Sequence, residues 1–222
     1  MRLLAFDCAL AAVSAALLVD GAPLAAERQA MQRGQAETLL PMLARLLGRA
    51  GLRLDQLDAI ATTIGPGSYT GVRIGLAAAA GLSLGLDLPV FGVTTLEALA
   101  AEAQANERLP VMVVIESQRA DLFVQNFAAD GGALDAPHAM LPDELRIPAG
   151  PLLLAGDGAA RIFELLRPAA ARLAPGTGTP DPVWVARLAA RRIAAAPELG
   201  RSRALPEPLY LRAPLATPLA GS

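Results

Sequence analysis

Apolar and small residues fill three short runs at the start of the chain, residues 2–8, 11–19 and 22–30, broken at Asp7-Cys8 and at Asp20-Gly21. Runs of this length between turn signals predict strands, and Val19-Asp20-Gly21-Ala22 predicts a hairpin turn, so the opening reads as an antiparallel meander. From Gln35 to Arg49 the period changes: Leu39, Leu40, Met42, Leu43, Leu46 and Leu47 recur at helical spacing, opposite Glu37, Arg45 and Arg49. Pro41 is expected near the start of this helix, or else to kink it. Residues 57–64 then read as a buried strand, 70–86 as a helix and 89–93 as a strand, with a further helix from Thr95.

After a polar stretch from Glu102 to Arg108 the pattern starts again. Strands are expected at 111–115, 122–127 and 152–155, and helices at 159–166 and 182–195. The repeated order predicts an α/β protein of two related lobes, each a sheet flanked by helices: residues 1–105, and a smaller lobe with its tail at 106–222. The Pro/Gly-rich segment 168–182 reads as loop, and the chain beyond Pro206 as extended or partly disordered.

Composition narrows the chemistry. With 222 residues, 54% hydrophobic and 18% charged, the chain is an ordered globular protein. All 19 basic residues are arginine and the formal net charge is −2, so no sequence-wide basic field exists and any RNA contact is expected to be shared with partners. The absence of lysine excludes a Schiff-base lysine and a P-loop cation. The single cysteine, Cys8, sits in an apolar run and reads as core packing in a reducing cytoplasm. His138, in Asp135-Ala136-Pro137-His138, reads as a surface loop residue rather than a metal ligand. Ala22-Pro23-Leu24-Ala25-Ala26 resembles a signal cleavage site, but Asp7 interrupts the apolar region before it and the hairpin accounts for the segment. The run Ile74–Leu86 is shorter than the ~20 residues that cross a bilayer and reads as a buried helix, so a soluble, cytoplasmic protein with no membrane contact is expected.

The segment with most information is Gly65-Pro66-Gly67-Ser68-Tyr69-Thr70-Gly71-Val72-Arg73-Ile74-Gly75, which follows a predicted strand and opens a helix. Convergent backbone N–H groups at a helix start can hold an anion, and Ser68 or Thr70 can cap the helix. The spacing, however, is neither that of a Walker loop nor that of a dinucleotide fingerprint. Gly71, Gly75, Ala78, Gly81 or Leu82, and Gly85 fall along one side of the helix. Each glycine costs about 1 kcal/mol of helix stability relative to alanine, so close approach of another backbone is expected. That backbone is either a strand of the same chain or a helix of a partner.

The Gly-Pro-Gly-Ser-Tyr-Thr-Gly-Val-Arg-Ile-Gly run resembles the signature of the TsaB (YeaZ) family, related to the TsaD proteins. Leu4-Ala5-Phe6-Asp7, Leu39-Leu40-Pro41, Gly92-Val93-Thr94-Thr95-Leu96 and Pro206-Glu207-Pro208-Leu209-Tyr210-Leu211-Arg212 resemble further family motifs in the same order. The likeness is strong over residues 1–100 and loose over 111–212. It implies an actin-like, Hsp70-like and sugar-kinase-like fold in two lobes. It also implies a non-catalytic subunit that pairs with a TsaD-type catalytic subunit, which transfers a threonylcarbamoyl group to tRNA, with a TsaE-type ATPase joining. A homodimer through the same surface stays open, and tRNA is expected to be met only through the complex. The resemblance puts the pairing surface on the Leu-Leu-Pro helix and the helix after the Gly-Pro-Gly loop, here Leu39, Leu43, Gly71, Arg73, Gly75, Ala78 and Leu82. On that reading Gly75→Leu abolishes pairing and leaves the fold largely intact.

Departures bear on catalysis. Cys8 stands where the family usually has threonine or serine, and Gln35 where it has histidine. His138 alone cannot supply the histidine pair that TsaD-type metal binding needs. Glu116-Ser117-Gln118-Arg119 replaces an aspartate-led motif, and Gly156-Asp157-Gly158 resembles a strand-to-helix turn, so Asp7, Glu116 and Asp157 read as vestigial nucleotide-site candidates. No cofactor is expected, with ATP or ADP only at the partner interface. Arg187, Arg191, Arg192, Arg201 and Arg203 form the densest basic region, read as a solvated helix face or, alternatively, an RNA-contacting edge.

Overall fold

The computed structural model describes residues 1–176 and 178–212. The part of the expected tail beyond Arg212 and the side chain of Arg201 lie outside the described residues. Strands β1 (Arg2–Asp7), β2 (Ala12–Val19) and β3 (Ala22–Ala30) form the expected antiparallel meander. The β2–β3 turn is the pair Asp20 and Gly21, both at positive φ, which is the handedness that a two-residue hairpin needs. Helix α1 (Gln35–Ala50) leads to β4 (Ala59–Thr63), and α2 (Tyr69–Leu86) to β5 (Val90–Val93); both strands run parallel to β1. The sheet order is β3-β2-β1-β4-β5.

The second half repeats the plan. Strands β6 (Val111–Glu116), β7 (Leu122–Phe127) and β8 (His138–Met140) are antiparallel, while β9 (Leu152–Ala155) and β10 (Ala171–Leu173) add in parallel, in the order β10-β9-β6-β7-β8. Read from the opposite edge this is the order of the first sheet. Two expectations change here. His138 opens a strand, half-buried, instead of standing in a surface loop, and the expected loop 168–182 contains β10. Each of these strands has three residues, too few to show an alternation.

In α1, Leu39, Met42, Leu43, Leu46 and Leu47 pack onto the first sheet against Leu4, Phe6, Val13 and Ile60. Pro41 lies inside this helix rather than at its start, on the exposed side. There the lost intrahelical N–H bond leaves a carbonyl that water can satisfy.

The helices after β5 and β10 change places. Helix α3 (Thr95–Ala103) starts from a capping box between Thr94 and Glu97 and buries Leu96, Leu99, Ala100 and Ala103 against Val111, Val113, Ile115 and Leu153 of the second sheet. Helix α4 (Ala159–Leu166) places Ala159 and Ile162 on the far side of that sheet. Helix α5 (Pro182–Ala195), capped by Asp181 with Pro182 in its first turn, returns to the first sheet and buries Val185, Ala186 and Ala189 against Leu3, Ala5, Ala61 and Phe91. Among the described residues the first sheet takes its strands from residues 2–93 and the second from residues 111–173, but each sheet is completed by a helix from the other segment.

Candidate functional site

The Gly-Pro-Gly loop lies on the turn between β1 and β2. Ser68 N donates to Ala9 O at 2.7 Å, Thr95 N donates to Gly65 O at 2.8 Å, and the Ser68 hydroxyl caps α2 by accepting from Gly71 N. A Cβ at Gly67 would collide with Ala9 O, one at Gly71 with Cys8 O, and one at Gly75 would lie 3.0 Å from Thr62 Oγ1. Gly67 and Gly71 make room for the chain's own backbone, and Gly75 for the Thr62 side chain. Gly81 and Gly85 have nothing within 4 Å of a built Cβ and stand open.

The expected pairing residues therefore separate. Leu39 and Leu43, 1% and 3% exposed, belong to the core beneath α1 and cannot meet a partner. Gly71 and Gly75 are buried against Cys8 and Thr62, so Gly75→Leu would strike the protein's own sheet rather than only a partner. Ala78 and Leu82 are half-buried against the α1 core. Arg73 is exposed, but its guanidinium stacks 3.9 Å over the Tyr69 ring and donates to Tyr210 Oη at 3.0 Å. The solvent side of α2 carries Thr70, Arg73, Ala77, Gly81, Leu84 at 89% exposure, and Gly85; of the expected stripe it keeps Gly81 and Gly85, while Leu84 lies outside that stripe. Leu40 of α1 is also exposed, at 54%. The buried-helix reading of α2 is corrected as well, since only 28% of its 18 residues are buried. Leu84 was the available signal: a large residue opposite the buried series Gly71, Gly75, Ala79 and Ser83.

The tail up to Arg212 crosses both lobes. Pro206 packs on Gly92, Leu209 N donates to Ile64 O at 2.8 Å, and the Tyr210 ring lies 5.3 Å from that of Tyr69. Arg212 then pairs with Asp121 in the turn between β6 and β7 at 2.7 Å. Pro66, Tyr69, Gln118, Arg119, Phe123 and Tyr210 line a cavity of 400 Å³ beside this strap.

The nucleotide-site candidates occupy equivalent strand ends, Asp7 on β1 and Glu116 on β6, but each is engaged by groups of its own lobe. Asp7 is fully buried; one carboxylate oxygen accepts from Ala9 N at 3.0 Å and from the Thr63 hydroxyl, and the other has no partner. Burial pushes its carboxyl up to about 6, against the lowering effect of those hydrogen bonds. Glu116 forms a two-point pair with Arg161 at 2.7 and 2.9 Å, and Asp157 accepts from Glu116 N at 2.9 Å. The turn after Asp7 is covered by Gly67 and Gly71. Burial raises the Cys8 thiol well above its ordinary value. Among the described residues no group of three His, Cys, Asp or Glu side chains could hold a metal ion.

Two sheets of one order, with their last helices exchanged across the junction, define an actin-like α/β protein. The activator of 2-hydroxyisocaproyl-CoA dehydratase from Clostridium difficile shares this fold at 9% identity, with a TM-score of 0.56 over 89% of this chain and 97% of that one. Within that class, residues 28–146 match the family TsaD, tRNA N6-adenosine threonylcarbamoyltransferase. YeaZ from Pseudomonas aeruginosa superposes with a TM-score of 0.80 at 27% identity, over 95% of this chain and 99% of that one. The tRNA threonylcarbamoyladenosine biosynthesis protein TsaB of Escherichia coli (strain K12) is 37% identical over 131 residues, 59% of this chain and 56% of that protein. The chain thus spans about half the length of the curated relatives it matches. It belongs to the TsaD family and, within it, to the TsaB (YeaZ) group.

Proposed function

We propose that this chain is a non-catalytic subunit that pairs with a TsaD-type catalytic subunit and supports threonylcarbamoyl transfer to the adenosine next to the anticodon of tRNA. The outward side of α2 carries this reading. Ala77, Gly81, Leu84 and Gly85 form an apolar, small-residue face on solvent, and burial of Leu84 alone would contribute roughly 1.5–3 kcal/mol. Open glycines at 81 and 85 allow a partner backbone to approach closely. By length and composition α2 could also cross a membrane, but its other side is fixed to the first sheet through Val72, Gly75 and Ala79. A helix that offers one side suits a protein partner better than surrounding lipid.

The reading assigns no catalytic group and no cofactor to this chain. It is supported by the burial of Asp7 and by the closed Glu116–Arg161 pair. A TsaE-type ATPase joins the assembly, tRNA is met within the complex by contacts shared among its subunits, and the protein works in the cytoplasm. The test is co-purification with the TsaD-type protein of the same organism, followed by a threonylcarbamoylation assay with and without this chain. Association with full dependence supports the proposal, and two proteins that neither associate nor cooperate refute it. A stable homodimer through Leu84 that excludes the TsaD-type protein would replace it with self-association.

A further inference from the structure

The basic region around α5 divides by what each arginine touches. Arg192 donates to Gly92 O and pairs with Glu97 at 2.6 Å, and Arg203 pairs with Asp87 at 2.7 Å, so both are engaged within the chain. Arg187 lies 4.7 Å over the Trp184 ring. Arg191 and Arg108, by contrast, have no hydrogen-bond, ion-pair or ring partner among the described residues. Both line one cavity of 360 Å³ between α3, α5 and the turn after β7, together with Gln104, Phe127, Asp130 and Trp184. Glu97, also on its wall, is neutralised by Arg192, which leaves Asp130 as the remaining acid, its carboxylate accepting from Gly132 N at 2.9 Å.

Two unengaged guanidiniums on one concave surface focus positive potential in a chain whose formal net charge is −2. The guanidinium fork matches phosphate oxygens, and an aromatic wall suits a base beside them. The cavity also lies opposite the pairing face: α5 covers one side of the first sheet and α2 the other, so a ligand here leaves α2 free. We propose that this groove binds the phosphate backbone of an RNA strand, with Arg108 and Arg191 each holding a phosphate beside Trp184. The choice of RNA over a free anion rests on the proposed role in tRNA modification; the site itself rests on the two arginines and the cavity.

Trp184 is the only tryptophan of the chain, so its emission reports on this groove alone. The 222-residue protein is titrated at low salt with an anticodon stem-loop RNA and, separately, with inorganic phosphate. A saturable change in emission is expected with RNA, at concentrations at least about tenfold below any effect of phosphate. Arg108→Ala/Arg191→Ala should weaken RNA binding about tenfold or more and lower the log K against log salt slope by about 1 to 2, as two lost phosphate contacts require. Asp130→Asn should tighten it. The double variant removes no hydrogen bond, ion pair or ring contact among the described residues, and an unchanged melting curve verifies its fold. A flat RNA titration, an unchanged slope in the double variant, or an equal response to phosphate overturns the proposal. Association with the TsaD-type subunit is measured on the same samples: its absence in wild type refutes the pairing role, while its presence with a flat titration refutes only the RNA groove.

Discussion

Arg212 and Asp121 meet at 2.7 Å across the two lobes, the carboxylate 2% exposed and the guanidinium half in water. The pair anchors a strap whose other contacts, through Leu209 and Tyr210, are with the first lobe. Arg212→Ala leaves a buried carboxylate without its counter-charge, although Ser117 still donates to it at 2.9 Å. Loss of one partner of a fully buried pair costs about 3–5 kcal/mol; with one partner half-exposed, about 2 kcal/mol is expected in urea unfolding. Asp121→Asn in the Arg212→Ala background should recover part of this loss, and an unchanged midpoint in the single variant would count against a structural strap.

The glycines of α2 should answer differently to the same substitution. Gly71→Ala drives a methyl into Cys8 O, a backbone atom that cannot swing away, and should cost about 3 kcal/mol or more. Gly85→Ala meets nothing and should raise stability by up to about 1 kcal/mol through helix propensity. Thermal melts of the two variants decide this, and similar shifts in the same direction would contradict the packing of the loop on the β1–β2 turn.

The same contrast shows what the sequence carries. Hydrophobic period was enough to find α1 and the meander, and it ended two strands within a residue of Asp7 and Glu116, because each run is long enough to repeat. It could not say which glycine serves the chain's own backbone and which stands open, since Gly71 and Gly85 are the same residue in the same helix. Nor does period reveal which sheet a helix will cover: α3 and α5 read as ordinary helices, and their exchange depends on contacts far apart in sequence, Leu96 with Ile115 and Val185 with Leu3. Leu39 and Leu43 were misplaced for a related reason. The α1 motif implied a pairing surface, while the burial of those two side chains is set by the sheet beneath them.

Leu84→Arg tests the pairing face without touching the core. Leu84 projects into solvent, so the isolated variant should melt within about 0.5 kcal/mol of wild type. Affinity for a TsaD-type partner should fall at least about tenfold, from the lost apolar burial and the cost of desolvating a charge. Calorimetric titration against the partner measures it, and unimpaired binding would move the interface off α2.

Asp7 gives stability a pH dependence with a definite sign. Its carboxyl titrates near 3.8 in ordinary surroundings and at about 6 in the buried site, so the folded state binds the proton more tightly than the unfolded chain. Stability from this group therefore falls as pH rises from about 4 to about 6; the cost of burying the charge is absent below that window and fully present above it. In Asp7→Asn the amide oxygen can still accept from Ala9 N and Thr63, with no charge to bury. The stability of Asp7→Asn relative to wild type should thus rise across this window by up to about 3 kcal/mol, from a shift of roughly two pKa units. Urea unfolding of both proteins at pH 4, 5, 6 and 7 (~1-unit steps spanning the window) isolates the effect, because every other carboxylate is common to the pair. A difference that stays constant with pH would mean that Asp7 titrates normally and that its unpartnered oxygen is met by solvent.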